Sequence, residues 1–179
     1  YKLYDESNTK NLPYRHVIIF TDQDTDGSHI MGLLIVFLRE FFPSILQFWP
    51  DFIQRFATHI VKAKIGNEQK SFFSLQEYNS WLADRLPSHV KYYKGLGTST
   101  DEEAIEYFKN IKDHLIEVEY TGINSEDAIK SFFSSEKTGK RKEMLRSIDE
   151  TSYIDYKKPK TTIEEWCNKE YIHHCAADN

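Results

Sequence analysis

Val17-Ile18-Ile19-Phe20-Thr21-Asp22-Gln23-Asp24-Thr25-Asp26-Gly27-Ser28-His29, residues 17–29, is the stretch whose reading decides the fold. Its first four residues are β-branched or aromatic and bounded by polar neighbours, which predicts a short buried strand. An acidic run follows at once. Beyond Gly27-Ser28, residues Ile30 to Phe42 are apolar almost all round and stop at Pro43. That pattern predicts a buried helix capped by Ser28 and ended before the proline. Strand, acidic loop and buried helix in this order indicate an α/β unit. The loop would sit at the carboxyl end of a strand, where open α/β sheets place their ligand sites.

Asp22, Asp24 and Asp26 stand two residues apart. In extended backbone that spacing aims three carboxylates to one side. Clustered anions repel one another, so the arrangement calls for a compensating cation, and hard oxygen ligands suit Mg²⁺ or Mn²⁺. Three chemistries share such a run. A calcium-binding EF-hand loop needs a glutamate at the twelfth position from Asp22, which here is Leu33, and a helix rather than a strand before it. A phosphatase of the haloacid dehalogenase type would use Asp22 as nucleophile and Asp24 as general acid. Its motif places Thr or Val where Asp26 stands. A solvated acidic turn is the third reading, weakened by the apolar strand and helix on either side.

Outward from this run, Ile60 to Ile65 alternates and reads as a strand, with Ser71-Phe72-Phe73-Ser74 as its hairpin partner across Gly66-Asn67. Leu75 to Leu86 reads as a helix with Tyr78, Trp81, Leu82 and Leu86 on one face. Val90-Lys91-Tyr92-Tyr93 is a further strand, and Lys94-Gly95-Leu96-Gly97-Thr98 follows it. Ser99 and Glu102 form the expected capping box of the next helix, whose buried stripe is Ala104, Ile105, Phe108, Ile111 and Leu115. Two glycines allow backbone to approach a ligand closely, a helix start offers free N–H groups to an anion, and Lys94 adds a mobile positive charge. Past about residue 120 the pattern turns to helices separated by basic stretches.

The chain of 179 residues has 40% hydrophobic residues, enough for a packed core. Its two cysteines are too few for a disulfide framework and suit a reducing compartment. Its longest nearly apolar stretch, Ile30 to Leu38, is less than half of what a bilayer requires, so no membrane partner is expected. The net charge of −5 speaks against a purely electrostatic nucleic-acid binder, but the distribution is uneven. Residues 101–127 carry nine acidic and two basic residues, and residues 137–160 eight basic and four acidic. A local basic strip, or a cation held between two sets of anions, could still meet DNA.

Thr21 to Ile30, followed by Gly32-Leu33-Leu34, closely resembles the Toprim acidic motif of type IIA DNA topoisomerases. Lys91-Tyr92-Tyr93-Lys94-Gly95-Leu96-Gly97-Thr98-Ser99 is similar to that family's KYYKGLGTS segment. Asn168-Lys169-Glu170 to Asn179 resembles the stretch leading toward its DNA-gate winged-helix domain. The wording is nearer to the eukaryotic and large-DNA-virus branch than to the bacterial gyrases.

The resemblance implies a Toprim fold: α/β, Rossmann-like, a mainly parallel sheet flanked by helices, over residues 1–120. A mainly helical extension over 121–179 would lead toward the winged-helix domain. It also implies catalytic, metal-holding roles for Asp22 and Asp24, support from Asp26, and DNA contacts at Lys94, Gly95, Gly97, Thr98 and His29. Mg²⁺, with Mn²⁺ as substitute, is the implied cofactor, and ATP is expected only through another domain. Duplex DNA is the implied partner and a homodimer the implied assembly. The expected address is nuclear for a cellular protein and the host-cell replication site for a viral one. The chain opens on Tyr1-Lys2-Leu3 rather than methionine, and reads as an internal part of a longer protein. The family's Glu-Gly-Asp-Ser-Ala motif is not found before Tyr14, and its nucleophilic tyrosine would lie beyond Asn179. Tyr92 and Tyr93 read as packing residues, and the 179 residues alone are expected not to cleave DNA.

Overall fold

In the computed structural model, residues 12–83 and 85–177 are described; Glu6, weighed as a weak echo of the Toprim glutamate, lies outside them. The predicted first strand is β1 (Val17–Ile19), which pairs in parallel with β2 (Ile53–Phe56), Val17 opposite Ile53. Between them run α1 (Thr25–Phe41) and the short α2 (Pro43–Phe48). The proline ends the first helix as expected, and then opens the second from its first position, where no N–H is needed. β6 (Leu115–Glu119) pairs antiparallel with β2, and β7 (Lys160–Thr162) pairs in parallel with β6. The four-stranded sheet therefore runs β1-β2-β6-β7, parallel at two of its three junctions.

A second sheet, of three strands, is antiparallel throughout. Its hairpin, β3 (Val61–Ile65) and β4 (Glu68–Phe72), turns at Gly66 with φ of 57°, a left-handed conformation that glycine adopts without penalty. β5 (His89–Tyr92) adds to the other edge of β3. α3 (Leu75–Leu82) lies beside β4 and lends Tyr78 to a small core with Val61, Ala63 and Phe72. The helix is shorter than predicted: it ends at Leu82, and Leu86 is 92% exposed.

The main core is larger and joins distant parts of the chain. Ile19, Met31, Ile35, Ile53 and Val118 pack with Ile129 and Phe132 of α5 (Ile123–Phe133). They also meet Trp166, from the helical stretch α6 (Ile163–Trp166), Cys167–Tyr171 and α7 (Ile172–Ala177). The expected boundary near residue 120 thus runs through a shared core, with β7 in the same sheet as β6.

Four local expectations are corrected. The cap of α1 is Asp24, not Ser28: the Asp24 carboxylate accepts the Gly27 N–H at 2.7 Å and the helix takes in Thr25 and Asp26. Asp24 is extended but Asp26 is helical, so the three aspartates do not share one extended face. Nor is α1 buried all round; Met31, Gly32 and Ile35 face the core, whereas Ile30, Leu33 and Phe37 are about half exposed. Finally, α4 (Asp101–Lys109) has its capping box one residue later than predicted, on Thr100 and Glu103. Ile105 and Phe108 stay exposed, Tyr107 is the buried residue, and Leu115 belongs to β6. A capping box is satisfied by geometry, and both Ser99 and Thr100 offer a hydroxyl three residues before a glutamate.

That one-residue shift gives Glu103 a tertiary task. Its carboxylate accepts from the hydroxyl of Tyr93, from Lys62 at 3.1 Å, from Lys91 at 3.1 Å and from the Thr100 N–H at 3.0 Å. Burial alone would raise its pKa, but these hydrogen bonds, that of Tyr93 foremost, hold it at about 2, well below the usual 4.5. A carboxyl so depressed contributes stability that is complete above pH 4.5 and is lost as the pH falls toward 2. We expect Glu103→Gln to lower stability by about 1–3 kcal/mol. Thermal unfolding at pH 7 and pH 3 measures this; the gap between wild type and variant should narrow at the lower pH.

Candidate metal and phosphate site

Asp22 ends the segment leaving β1 and is exposed, as are Asp24 and Asp26. Asp22 Oδ1 accepts the backbone N–H of Leu96 at 2.7 Å, across 74 residues of sequence. The two predicted motifs therefore meet. Gly95 is what permits the approach: a methyl group there would lie 2.5 Å from the carboxyl carbon of Asp22. Gly95 is fully extended, a backbone any residue can adopt, so its requirement is one of space alone.

Asp24 spends Oδ1 on the Gly27 N–H at the start of α1. Each of these two aspartates thus has one oxygen fixed by backbone. The other carries no hydrogen bond among the described residues. Two pre-oriented, exposed, anionic oxygens at a helix start fit a hard divalent cation that keeps most of its water shell, as Mg²⁺ does. Asp26 stands apart, its side chain 87% exposed and 3.9 Å from Nδ1 of His174. Among the described residues no group of three or more His, Cys, Asp or Glu is gathered as a complete metal site.

His29, expected to contact DNA, packs its ring against other aromatic rings. Its ring stacks on His174 at 4.4 Å between centroids, and lies 6.1 Å from the ring of Tyr171. Lys94, Gly97 and Thr98 are exposed, and no atom lies within 4 Å of a methyl group built on Gly97. Thr98 closes its own short turn through the Gly95 carbonyl at 2.7 Å. The helix whose free N–H groups were expected to face an anion begins at Asp101, beyond this turn.

A cleft of about 470 Å³ opens beside the two motifs. Asp24, Ser28, Tyr92, Lys94, Lys169 and Glu170 are among its lining residues. Beneath Asp24 lies a buried polar cluster that sequence patterns did not reveal. Arg55, 2% exposed, donates to Glu170 and to the Tyr156 hydroxyl at 3.2 Å. Glu170 also accepts from the hydroxyls of Ser28 and Tyr156. Burial disfavours the charge of Arg55, yet Glu170, with Tyr156 and Asp24, keeps its pKa above the ordinary range. Burial likewise opposes the Glu170 charge, and Arg55 with its hydroxyl donors overcomes that and lowers its pKa. Arg55 sits in a strand otherwise made of Ile53, Gln54 and Phe56, and Glu170 lies 115 residues away, so no local pattern links them.

Residues 56–179 match the family described as the C-terminal associated domain of TOPRIM. The chain is 40% identical over 176 residues to the DNA topoisomerase 2 of Plasmodium falciparum, covering 97% of this chain and 12% of that protein. With the DNA topoisomerase 2 of Arabidopsis thaliana the identity is 42% over 177 residues, covering 96% and 12%. With the DNA topoisomerase 2-alpha of Rattus norvegicus it is 40% over 191 residues, covering 98% and 12%. The chain thus spans about one-eighth of the length of these relatives. Among solved structures it is similar to the crystal structure of the Plasmodium falciparum topoisomerase II DNA-binding, cleavage and re-ligation domain. The TM-score is 0.85 and the identity 41%, over 94% of this chain and 23% of that one. The chain belongs to the TOPRIM-associated family and corresponds to a part of the type II DNA topoisomerases.

Proposed function

We propose that this chain supplies the cation-holding carboxylates of an ATP-dependent type II DNA topoisomerase that cleaves and rejoins both strands of duplex DNA. The observation that carries the reading is the Asp22–Gly95–Leu96 contact, which brings the acidic run and the KGLG turn into one site. Asp22 and Asp24 are the residues that would hold Mg²⁺, or Mn²⁺ in its place, and Asp26 adds negative charge from the first turn of α1. A bound divalent cation supplies Lewis-acid stabilisation of charge on phosphoryl oxygens. The chain's own residues do the positioning. Gly27 and Leu96 N–H groups orient the two carboxylates, Gly95 makes room for that of Asp22, and Lys94, Gly97 and Thr98 beside it present an exposed surface with one positive charge to a phosphate backbone. His29, stacked on His174, is the remaining candidate for a DNA contact.

The attacking tyrosine and the ATP site belong, on this reading, to other domains of a homodimeric protein. Residues 1–120 form its Toprim part and residues 121–179 an extension toward the DNA gate. The address we propose is nuclear for a cellular protein, or the host-cell replication site for a viral one. An assay with a generic phosphate ester separates this from a dehalogenase-type phosphatase, in which Asp22 would be the nucleophile. No turnover is expected; turnover that disappears in Asp22→Asn would sink the topoisomerase reading.

A further inference from the structure

The buried cluster beneath Asp24 carries an inference that deepens the reading above and rests on it. An arginine is an unfavourable neighbour for a cation site. Arg55 is buried, positively charged and packed under the segment that bears Asp24. Left alone it would oppose a divalent ion at that carboxylate, because like charges are poorly screened away from bulk water. Glu170 answers it directly, with one oxygen on Arg55 and Ser28 and the other on Tyr156. Ser28 lies one helical turn beyond Asp24, and Glu170 lines the same cleft as Asp24. Its carboxylate is turned down to the arginine, although its side chain remains 18% exposed. It also sits in the π-helical turn Cys167–Tyr171, a widening that helices tend to show at functional positions.

We propose that Glu170 is a positioning residue of the acidic site. It neutralises Arg55 and tethers Ser28, so that Asp22 and Asp24 keep the negative potential and orientation a divalent cation needs. The role is electrostatic: removing the negative charge alone harms the site, and removing both charges restores it. A simple packing role makes the opposite forecast, since each substitution then adds to the damage.

The experiment is a Mn²⁺ titration of the 179-residue protein followed by electron paramagnetic resonance, with thermal unfolding measured on the same samples. Five proteins are compared: wild type, Glu170→Gln, Arg55→Gln, the double substitution of these two, and Asp24→Asn. Glu170→Gln should raise the Mn²⁺ midpoint on the order of tenfold, and the double substitution should bring it back to within about twofold of wild type. Arg55→Gln should leave the midpoint unchanged or lower. If Glu170→Gln proves too unstable to titrate, the comparison of Arg55→Gln and the double variant with wild type decides alone; a tenfold weaker double variant overturns the inference. An unchanged midpoint in folded Glu170→Gln overturns it as well, while wild-type binding abolished by Asp24→Asn keeps the cation site itself intact. A wild-type protein that takes up no Mn²⁺ sinks the cation site and this inference with it.

Discussion

Asp24→Asn in the full-length protein should abolish cation-supported DNA cleavage while leaving the fold almost untouched. Asp24 holds two tasks that are separable. As the cap of α1 it accepts the Gly27 N–H through Oδ1, and asparagine caps a helix about as well as aspartate does. As an anion it offers its second oxygen to a cation, and asparagine brings no charge for that. Asp24→Asn should therefore shift the melting temperature by only about 1–2 °C and reduce cleavage by a factor of 10² or more, on the order of what single electrostatic groups contribute in active sites. Asp24→Ala loses both tasks and should cost about 1 kcal/mol of stability in addition. Cleavage assays on supercoiled DNA across a Mg²⁺ series, beside calorimetry, test the pair. Undiminished cleavage by Asp24→Asn would remove Asp24 from the ligand set.

Gly27→Ala should fail for a different reason, and fail more completely. A methyl group on Gly27 would lie 2.0 Å from the backbone oxygen of Asp22, 3.1 Å from its carbonyl carbon and 3.0 Å from the Thr21 hydroxyl. The two Asp22 atoms are backbone, just beyond the end of β1, so they cannot swing aside as a side chain tip could. The clash must be relieved by displacing the Asp22 peptide or unwinding the start of α1. We expect a loss of about 3 kcal/mol or more, with a melting temperature lower by roughly 6–12 °C. The three atoms nearest to a methyl group on Gly95 all belong to the carboxylate of Asp22, which can rotate away. Gly95→Ala should keep nearly wild-type stability and lose the Asp22–Leu96 hydrogen bond, and cation affinity with it. Gly97→Ala, facing open space, is the control that changes neither. Equal stability of all three variants would refute the packing argument.

Much of this site was legible because its signals are local. Apolar run, spaced aspartates, glycine and apolar helix follow one another within 26 residues, from Val17 to Phe42. The turn at Gly66-Asn67 and the β5 strand before the KGLG turn were legible for the same reason, although the second strand of the hairpin is Glu68–Phe72 and not the expected Ser71 to Ser74. What escaped was either ambiguous by one residue or non-local. Asp24 and Ser28 are both good caps, and only the Asp24 carboxylate reaches a free N–H at the right distance. A three-residue strand such as Lys160–Thr162 leaves no periodicity to detect. Arg55 and Glu170 find each other across 115 residues, and an arginine inside a strand reads as an edge position until its partner is known. The exposed apolar face of α1 is equally invisible to hydropathy, which records what a residue prefers and not what covers it.

The two cores are unequal, and that inequality reaches the site. The antiparallel sheet rests on Val61, Ala63, Phe72 and Tyr78, whereas the mixed sheet is buried in a core drawn from most of the chain. Local opening free energies follow buried contact, so the small sheet should exchange its amide hydrogens with solvent sooner than β2 and β6 do. The KGLG turn hangs from β5 of that sheet, while Asp22 is anchored to the large one. One wall of the site is therefore a hinged jaw and the other an anvil, and the Leu96–Asp22 hydrogen bond is the latch between two parts of different stiffness.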